Sequence, residues 1–322
     1  MAPSDPPPIA LTSLQIRDFR GIDSLDLDFR GPDGQPNNLV VLAGPNGSGK
    51  TAVLEAALIA AGGRKVAAGP CGKRAIRKGA SDYSIRAVFD TRGTALEIEE
   101  TSASSPPDQH NRTPFWYFSS WRAPELVGPV GVTVGRRGRR PAKTDQNRLL
   151  NVKQILTNAA AIEKFRPGQR QFEADYSRWE KQINSAWRRF NPESEGFFVD
   201  LAESDVPGRG SFDVFLKLPR GEALEVDILS SGQIELFLFL AALVVNDDRQ
   251  GIVFIDEPEL HLDPQWHAPI IRSLMELQPK AQFIVATHSP EIYEAAMSYE
   301  RHFLVSDGDP RSRIWGRAEA RT

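Results

Sequence analysis

One uninterrupted stretch near the start constrains this chain more than any other. Asn38-Leu39-Val40-Val41-Leu42-Ala43 is a short apolar run of the kind that forms a buried strand. It leads directly into Gly44-Pro45-Asn46-Gly47-Ser48-Gly49-Lys50-Thr51, and helix formers then continue over 51–61 until Gly62-Gly63 stops them. Strand, glycine loop and helix in this order match the phosphate-loop pattern G-x-x-x-x-G-K-[ST]. Glycines let successive backbone N–H groups turn inward onto phosphate oxygens, and the helix that follows adds its positive N-terminal end. All eight residues, 44–51, are therefore candidate nucleotide contacts. Lys50 is expected to reach the β- and γ-phosphates, and the Thr51 hydroxyl to ligate Mg²⁺.

A second strand supplies what such a loop lacks. Ile252-Val253-Phe254-Ile255-Asp256-Glu257 is apolar until it ends in two acids. At the strand tip Asp256 would hold the metal shell with Thr51, and Glu257, one residue on, is placed to polarise an attacking water. Taken alone, such a pair is an ordinary strand end; the phosphate loop upstream gives it meaning.

With these motifs in place, the sequence resembles the ABC-type ATPases of the SMC/RecF/OLD-like branch. Leu229-Ser230-Ser231-Gly232-Gln233 is similar to the family signature, with Ser231 where a glycine usually stands. The run from Asp256-Glu257-Pro258-Glu259 through Leu260-His261-Leu262-Asp263 has the spacing of the Walker B strand and D-loop, and Thr287-His288-Ser289 falls where these proteins carry a switch histidine. The opening strand, 14–22, is similar to that of the SMC/RecF branch. The resemblance covers 11–62 and 223–305 well and 64–220 only loosely. It implies an α/β P-loop NTPase core of ABC-ATPase type, a mixed sheet with an inserted, mainly helical lobe.

The resemblance further implies that two copies stack as a homodimer, each ATP lying between one phosphate loop and the other copy's signature. Ser230, Ser231, Gly232, Gln233 and Asp263 would then face the partner's nucleotide, with Glu257, His288 and Lys50 carrying catalysis and each protomer alone a poor ATPase. The family's Q-loop glutamine has no counterpart: near 115–125 stand Ser119, Ser120 and Arg122, and Gln109 lies in loop-like sequence. His261 and His267 read as structural or interfacial, and Trp266 and Trp315 as packing residues.

Charge bears on partners. Residues 60–190 hold 24 Lys and Arg against 12 Asp and Glu, while the rest of the chain holds 15 against 30. The basic residues within 64–143, among them Arg64-Lys65, Lys73-Arg74, Arg77-Lys78, Arg136-Arg137 and Arg139-Arg140, offer a track for a DNA backbone; the same charges also suit a solvated loop or a protein-partner surface. No motif for reading base sequence accompanies them.

Composition excludes several classes. No apolar run approaches the roughly 18 residues of a membrane span; the longest, Ile234–Val245, contains Glu235. The opening MAPSDPPPIA lacks a basic and an apolar segment and reads as a Pro-rich tail, not a secretory signal. Cys71 is the only cysteine, which rules out an intrachain disulfide and points to a reduced, cytoplasmic protein.

The expected organisation is a disordered tail at 1–10, the first part of the ATPase core at 11–100, a basic helical lobe at 101–195 and the second part of the core at 196–322, where Ala223–Ile228 reads as a strand and 290–298 as a helix. Asp145–Phe190 is too short for an SMC arm, and 34 residues after His288 are too few for a nuclease domain. The resemblance therefore implies an ATP-hydrolysing switch in DNA maintenance or phage defence, with an effector protein partner such as a nuclease or toxin. Two other classes stay open: a non-hydrolysing ATP-sensing scaffold, and a transporter nucleotide-binding subunit. The opening strand, the missing glutamine and the basic middle speak against the transporter.

Overall fold

The apolar run after Asn38 becomes the strand the phosphate loop requires, and the rest of the fold is arranged around it. A computed structural model of the protein describes residues 7–67, 69, 72–104, 113–120, 126, 128–130, 148–165, 176–202, 211–246 and 250–305. In chain order the elements are β1 (Ile9–Phe19), β2 (Ile22–Asp28), β3 (Leu39–Ala43), α1 (Lys50–Leu58), β4 (Ser84–Thr91), β5 (Thr94–Thr101), β6 (Phe115–Phe118), α2 (Arg148–Phe165), α3 (Tyr176–Trp187), β7 (Gly196–Ala202), β8 (Ser211–Lys217), β9 (Ala223–Glu225), α4 (Ser231–Val244), β10 (Ile252–Asp256), α5 (Pro264–Leu277), β11 (Gln282–Thr287), α6 (Pro290–Ala295) and β12 (Arg301–Phe303).

The central sheet is parallel, in the order β12-β3-β11-β10-β6. Its inner strands β3, β11 and β10 are buried on both faces, which is why they read as largely apolar runs. Alternation then divides their side chains. Leu39, Val41, Val253, Ile255, Phe283 and Val285 face the helices α2–α5, whereas Val40, Leu42, Ile252, Phe254, Ile284 and Ala286 face α1 and the antiparallel sheet β2-β1-β4-β5. Gln282 joins the two sheets: its buried amide accepts from the Leu11 N–H at 2.7 Å and donates to the carbonyls of Leu11 and Asn37, both at 2.9 Å. A third, antiparallel sheet, β7-β8-β9, packs against α2 and α3.

The helix α4 is apolar all round, as suits a helix enclosed on every side; Leu236–Ala241 is wholly buried. The one charge in that run, Glu235, is fully buried and paired with Arg148 of α2 at 2.8 Å. Lys153, one turn and a half along α2, is likewise buried, 2.6 Å from Asp213 of β8 and paired with Asp227.

Three expected elements end early. Regular α geometry stops at Leu58, and a wider turn carries 59–63 to the double glycine. The strand expected over Ala223–Ile228 gives way after Glu225 to a tight turn that delivers Asp227 to Lys153. The helix expected over 290–298 closes at Ala295, because the Arg301 guanidinium takes the last carbonyls, donating to Ala296 at 2.9 Å and Glu294 at 2.6 Å.

Candidate functional site

The loops that follow β3, β6, β10 and β11 all leave the same edge of the central sheet, because those strands are parallel. Ligands of open α/β sheets bind at such carboxyl edges. The phosphate loop leaves β3, and Gly49 turns it into α1 with φ of 92°, a conformation a side chain would disfavour. Lys50 is 5% exposed, and its ammonium donates to the carbonyls of Gly44 at 2.8 Å and Pro45 at 3.0 Å. Burial holds its pKa below the usual lysine value, while the carboxylates of Glu257, Asp256 and Glu259 oppose that shift. A phosphate in the loop would replace those two carbonyls as its partner.

Thr51 faces Asp256: its hydroxyl donates to both carboxylate oxygens at 3.2 Å. The Ser120 hydroxyl, just past β6, donates to Oδ2 of the same carboxylate at 3.0 Å. Oxygen donors in this number suit Mg²⁺, which keeps only one or two protein ligands and leaves the rest to phosphates and water. Thr51 and Asp256 are the residues that would hold it; Ser120 contacts the same Asp256 carboxylate. No wider cluster of His, Cys, Asp or Glu suited to a metal occurs among the described residues.

Glu257 adopts φ of 52°, an uncommon conformation for a residue with a side chain. Its own N–H donates to the Ala286 carbonyl at 2.7 Å, which pins the turn to β11. The side chain then meets His288: Nε2 lies 3.0 Å from Glu257 Oε1, both groups about one-third exposed. A carboxylate and an imidazole in contact beside a phosphate loop have the composition of a general base and its neighbour. Lys50, Thr51, Asp256, Glu257 and His288 are thus brought together at one edge.

The signature residues lie elsewhere. Ser230 caps α4 in a capping box with Gln233: the Gln233 N–H donates to Ser230 Oγ at 3.3 Å, and the Ser230 N–H donates to Gln233 Oε1 at 3.1 Å. Ser231 is exposed, so the serine in place of glycine meets no obstacle. The close approach falls at Gly232, where a Cβ would come within 2.5 Å of the His261 carbonyl. Asp263 caps α5, its Oδ1 accepting from the Gln265 N–H at 3.0 Å. The helix α4 belongs to the side of the sheet opposite α1, and among the described residues no hydrogen bond links 230–233 to the phosphate loop.

His267 contacts the Ser289 hydroxyl at 3.2 Å, and Trp266 packs edge-on to Phe190 at 5.9 Å, as structural and packing residues do. Ser119 is buried. Cys71, Gln109, Arg122, Trp315 and the basic run 135–143 lie outside the described residues. Neither Ser120 as a contact of Asp256 nor Glu259, which reaches the switch loop, was legible from the sequence as a site residue: Ser120 stood among three residues where the glutamine is absent, and Glu259 inside the quoted D-loop motif.

Residues 72–294 match the family described as "AAA domain, putative AbiEii toxin, Type IV TA system", a span that begins after the phosphate loop and takes in Ser230–Gln233, Asp256-Glu257 and His288. Among curated proteins, the "Septu protein PtuA" of Bacillus thuringiensis is 35% identical over 112 residues, 31% of this chain and 28% of that one. The "Retron Vc95 probable ATPase" of Vibrio cholerae serotype O1 biovar El Tor is 31% identical over 105 residues, 33% of this chain and 20% of that one. The chain thus spans less than a third of the length of these relatives.

Among solved structures, an SMC head bound to the C-terminal winged-helix domain of ScpA matches with a TM-score of 0.56 at 15% identity, over 95% of this chain and 99% of the other. The Pyrococcus furiosus SMC head with an extended coiled coil gives 0.53 at 14% identity, over 98% and 100%. At such identities the likeness establishes the fold, that of an SMC-type head. Joined to that fold and to a match over more than half of its residues, the phosphate-loop site identifies the chain as a member of this AAA-domain family of P-loop ATPases.

Proposed function

We propose that the protein is an ATP-hydrolysing switch, in which two copies close head to head around ATP. The observation that carries the reading is the meeting of Glu257 and His288 at 3.0 Å, beside Lys50 and Asp256 at the edge of the central sheet. In this reading the loop amides and Lys50 hold the phosphates. When bound, Mg²⁺ would neutralise charge on the β- and γ-phosphate oxygens. Glu257 takes a proton from the attacking water, whose oxygen bonds to the γ-phosphorus as the bridging bond to the β-phosphate breaks. ADP and phosphate leave. His288 orients Glu257 and senses the γ-phosphate.

The division of the sheet supports the dimer reading. The phosphate-loop helix α1 and the signature helix α4 lie on opposite sides, so Ser230, Ser231, Gly232, Gln233 and Asp263 are left to face a nucleotide held by another copy. The capped start of α4 would present free N–H groups to that γ-phosphate. Loss of the γ-phosphate would release the pair, a nucleotide-driven switch. An effector protein reading the closed state, in phage defence or DNA maintenance, fits the curated relatives, one of them a Septu protein and one a retron ATPase. DNA contact is a second reading, favoured by Lys65, Lys73, Arg74 and Lys78, all exposed within one short stretch.

Glu257→Gln tests the switch. With ATP and Mg²⁺ the variant should sediment at twice the 35.7 kDa chain mass and with ADP at the chain mass. A mass indifferent to nucleotide would overturn the dimer reading.

A further inference from the structure

We propose that Glu259 is a positioning residue, whose carboxylate holds the switch loop so that His288 faces Glu257. The inference rests on the ATPase reading above and names a residue that reading does not require.

Glu259 lies two residues beyond Glu257, in the turn that leaves β10, yet its side chain crosses to the end of the neighbouring strand β11. Oε2 accepts from the Thr287 hydroxyl at 2.8 Å. Oε1 accepts from two consecutive backbone N–H groups, those of His288 at 2.6 Å and Ser289 at 3.1 Å. The Ser289 N–H also donates to Thr287 Oγ1 at 2.9 Å, which leaves that hydroxyl as a donor toward Glu259. Hydrogen bonds to an ionised acceptor are roughly twice as strong as neutral ones, so one carboxylate fixes three successive residues.

Their exposure shows what the anchoring achieves. Thr287 is wholly buried and Ser289 is 5% exposed, while His288 between them keeps its side chain 34% exposed. With both neighbours held, the backbone at 288 has one direction in which to project its ring, and that direction ends at Glu257. The same turn continues to His261, whose carbonyl abuts Gly232 at the start of the signature helix, and to Asp263, the cap of α5. Glu259 therefore sits where the D-loop meets the switch loop, one short turn from the signature.

Without the carboxylate, the N–H groups of 288 and 289 lose their acceptor and the loop can shift. A misplacement of about 1 Å in a catalytic group can lower a rate about 10²-fold. The alternative is a purely structural anchor, whose loss would unsettle the fold without a selective effect on turnover.

The test compares wild type, Glu259→Ala, Glu259→Gln and Glu257→Gln by steady-state ATP hydrolysis and by deuterium uptake at the amides of 288 and 289 without nucleotide. Glu259→Ala should lose about 10²-fold in kcat with KM for ATP within about threefold. It should also exchange faster at 288 and 289. Glu259→Gln keeps a carbonyl oxygen for both N–H groups and should recover most of the rate and the protection. Wild-type kcat in Glu259→Ala, unchanged exchange, or parallel losses in kcat and KM that Gln fails to rescue would overturn the proposal. Absence of turnover in wild type would overturn the ATPase reading instead, and unchanged exchange at 288 and 289 in Glu259→Ala would overturn the anchoring whatever the turnover.

Discussion

The phosphate loop and the signature are both short motifs at the start of a helix, but they are held in different ways. Residues 44–51 are contiguous, and their shape comes from glycine geometry, main-chain groups and Lys50 bonding back to Gly44 and Pro45. The signature is held by side chains gathered from across the chain. Asp227, just before it, pairs with Lys153 of α2; Lys153 also pairs with Asp213 of β8; and Glu235, just after it, pairs with Arg148. One motif is built locally and the other is clamped from a distance. The lesson is that α2 sets the stance of the signature without contributing a residue to it.

The largest expected effect breaks the clamp. Lys153→Met leaves Asp213 and Asp227 buried without their cation, and uncompensated buried charge costs about 3–5 kcal/mol. Urea unfolding should show a loss of that size. Arg148→Met alone should lose stability in the same way. Arg148→Met combined with Glu235→Leu should recover to within about 1 kcal/mol of wild type, since replacing both partners of a buried pair is often neutral. A double variant as weak as the single one would mean that the pair itself, and not the orphaned charge, sustains α4.

On the phosphate-loop side the corresponding weakness is acid. His302 lies in β12 beside β3, its ring edge-on to Phe29 at 5.2 Å, and burial lowers its pKa to about 4 while the charge of Asp28 opposes the shift. The ordinary value is 6.5, so between 6.5 and about 4 the unfolded chain binds the proton and the folded chain does not. Stability from this group is full above 6.5 and falls as pH drops toward 4, by roughly 2–3 kcal/mol. His302→Phe should flatten that limb of a pH–stability profile while leaving its neutral plateau in place.

Smaller effects sharpen the contrast. Ser230→Ala removes the cap of α4 and should cost about 1 kcal/mol, far less than breaking the clamp behind it. Arg17→Ala breaks an ion pair with Asp26 at 2.8 Å whose partners are 41% and 57% exposed. Its cost should be about 0.5 kcal/mol or less, as for other surface pairs.

The same contrast explains what could be read from the sequence. The inner strands of the central sheet were legible because parallel strands buried on both faces leave largely apolar runs, and the phosphate loop because its residues are neighbours in the chain. Thr51, Asp256 and Glu257 were singled out by their motifs and His288 by the family resemblance, and the four meet because each follows a parallel strand of the central sheet. The clamp was not legible: Arg148, Lys153, Asp213, Asp227 and Glu235 look like ordinary surface charges until α2 and β8 bring them under the signature. Ser120 was obscured for another reason. The family's glutamine has no counterpart in this chain, and the sequence alone does not choose among Ser119, Ser120 and Arg122, whereas β6 brings Ser120 close enough to touch Asp256 at 3.0 Å. The early end of the last helix likewise depends on Arg301, which no helical periodicity includes.

The most direct test of ATP hydrolysis through Glu257 is phosphate release by the purified chain with Mg²⁺ and ATP, measured beside Glu257→Gln. Turnover in wild type that falls about 10²-fold or more in the variant is expected, since a positioned general base contributes about 10²–10⁴-fold. Equal rates in the two proteins would contradict the assignment of Glu257 as the base.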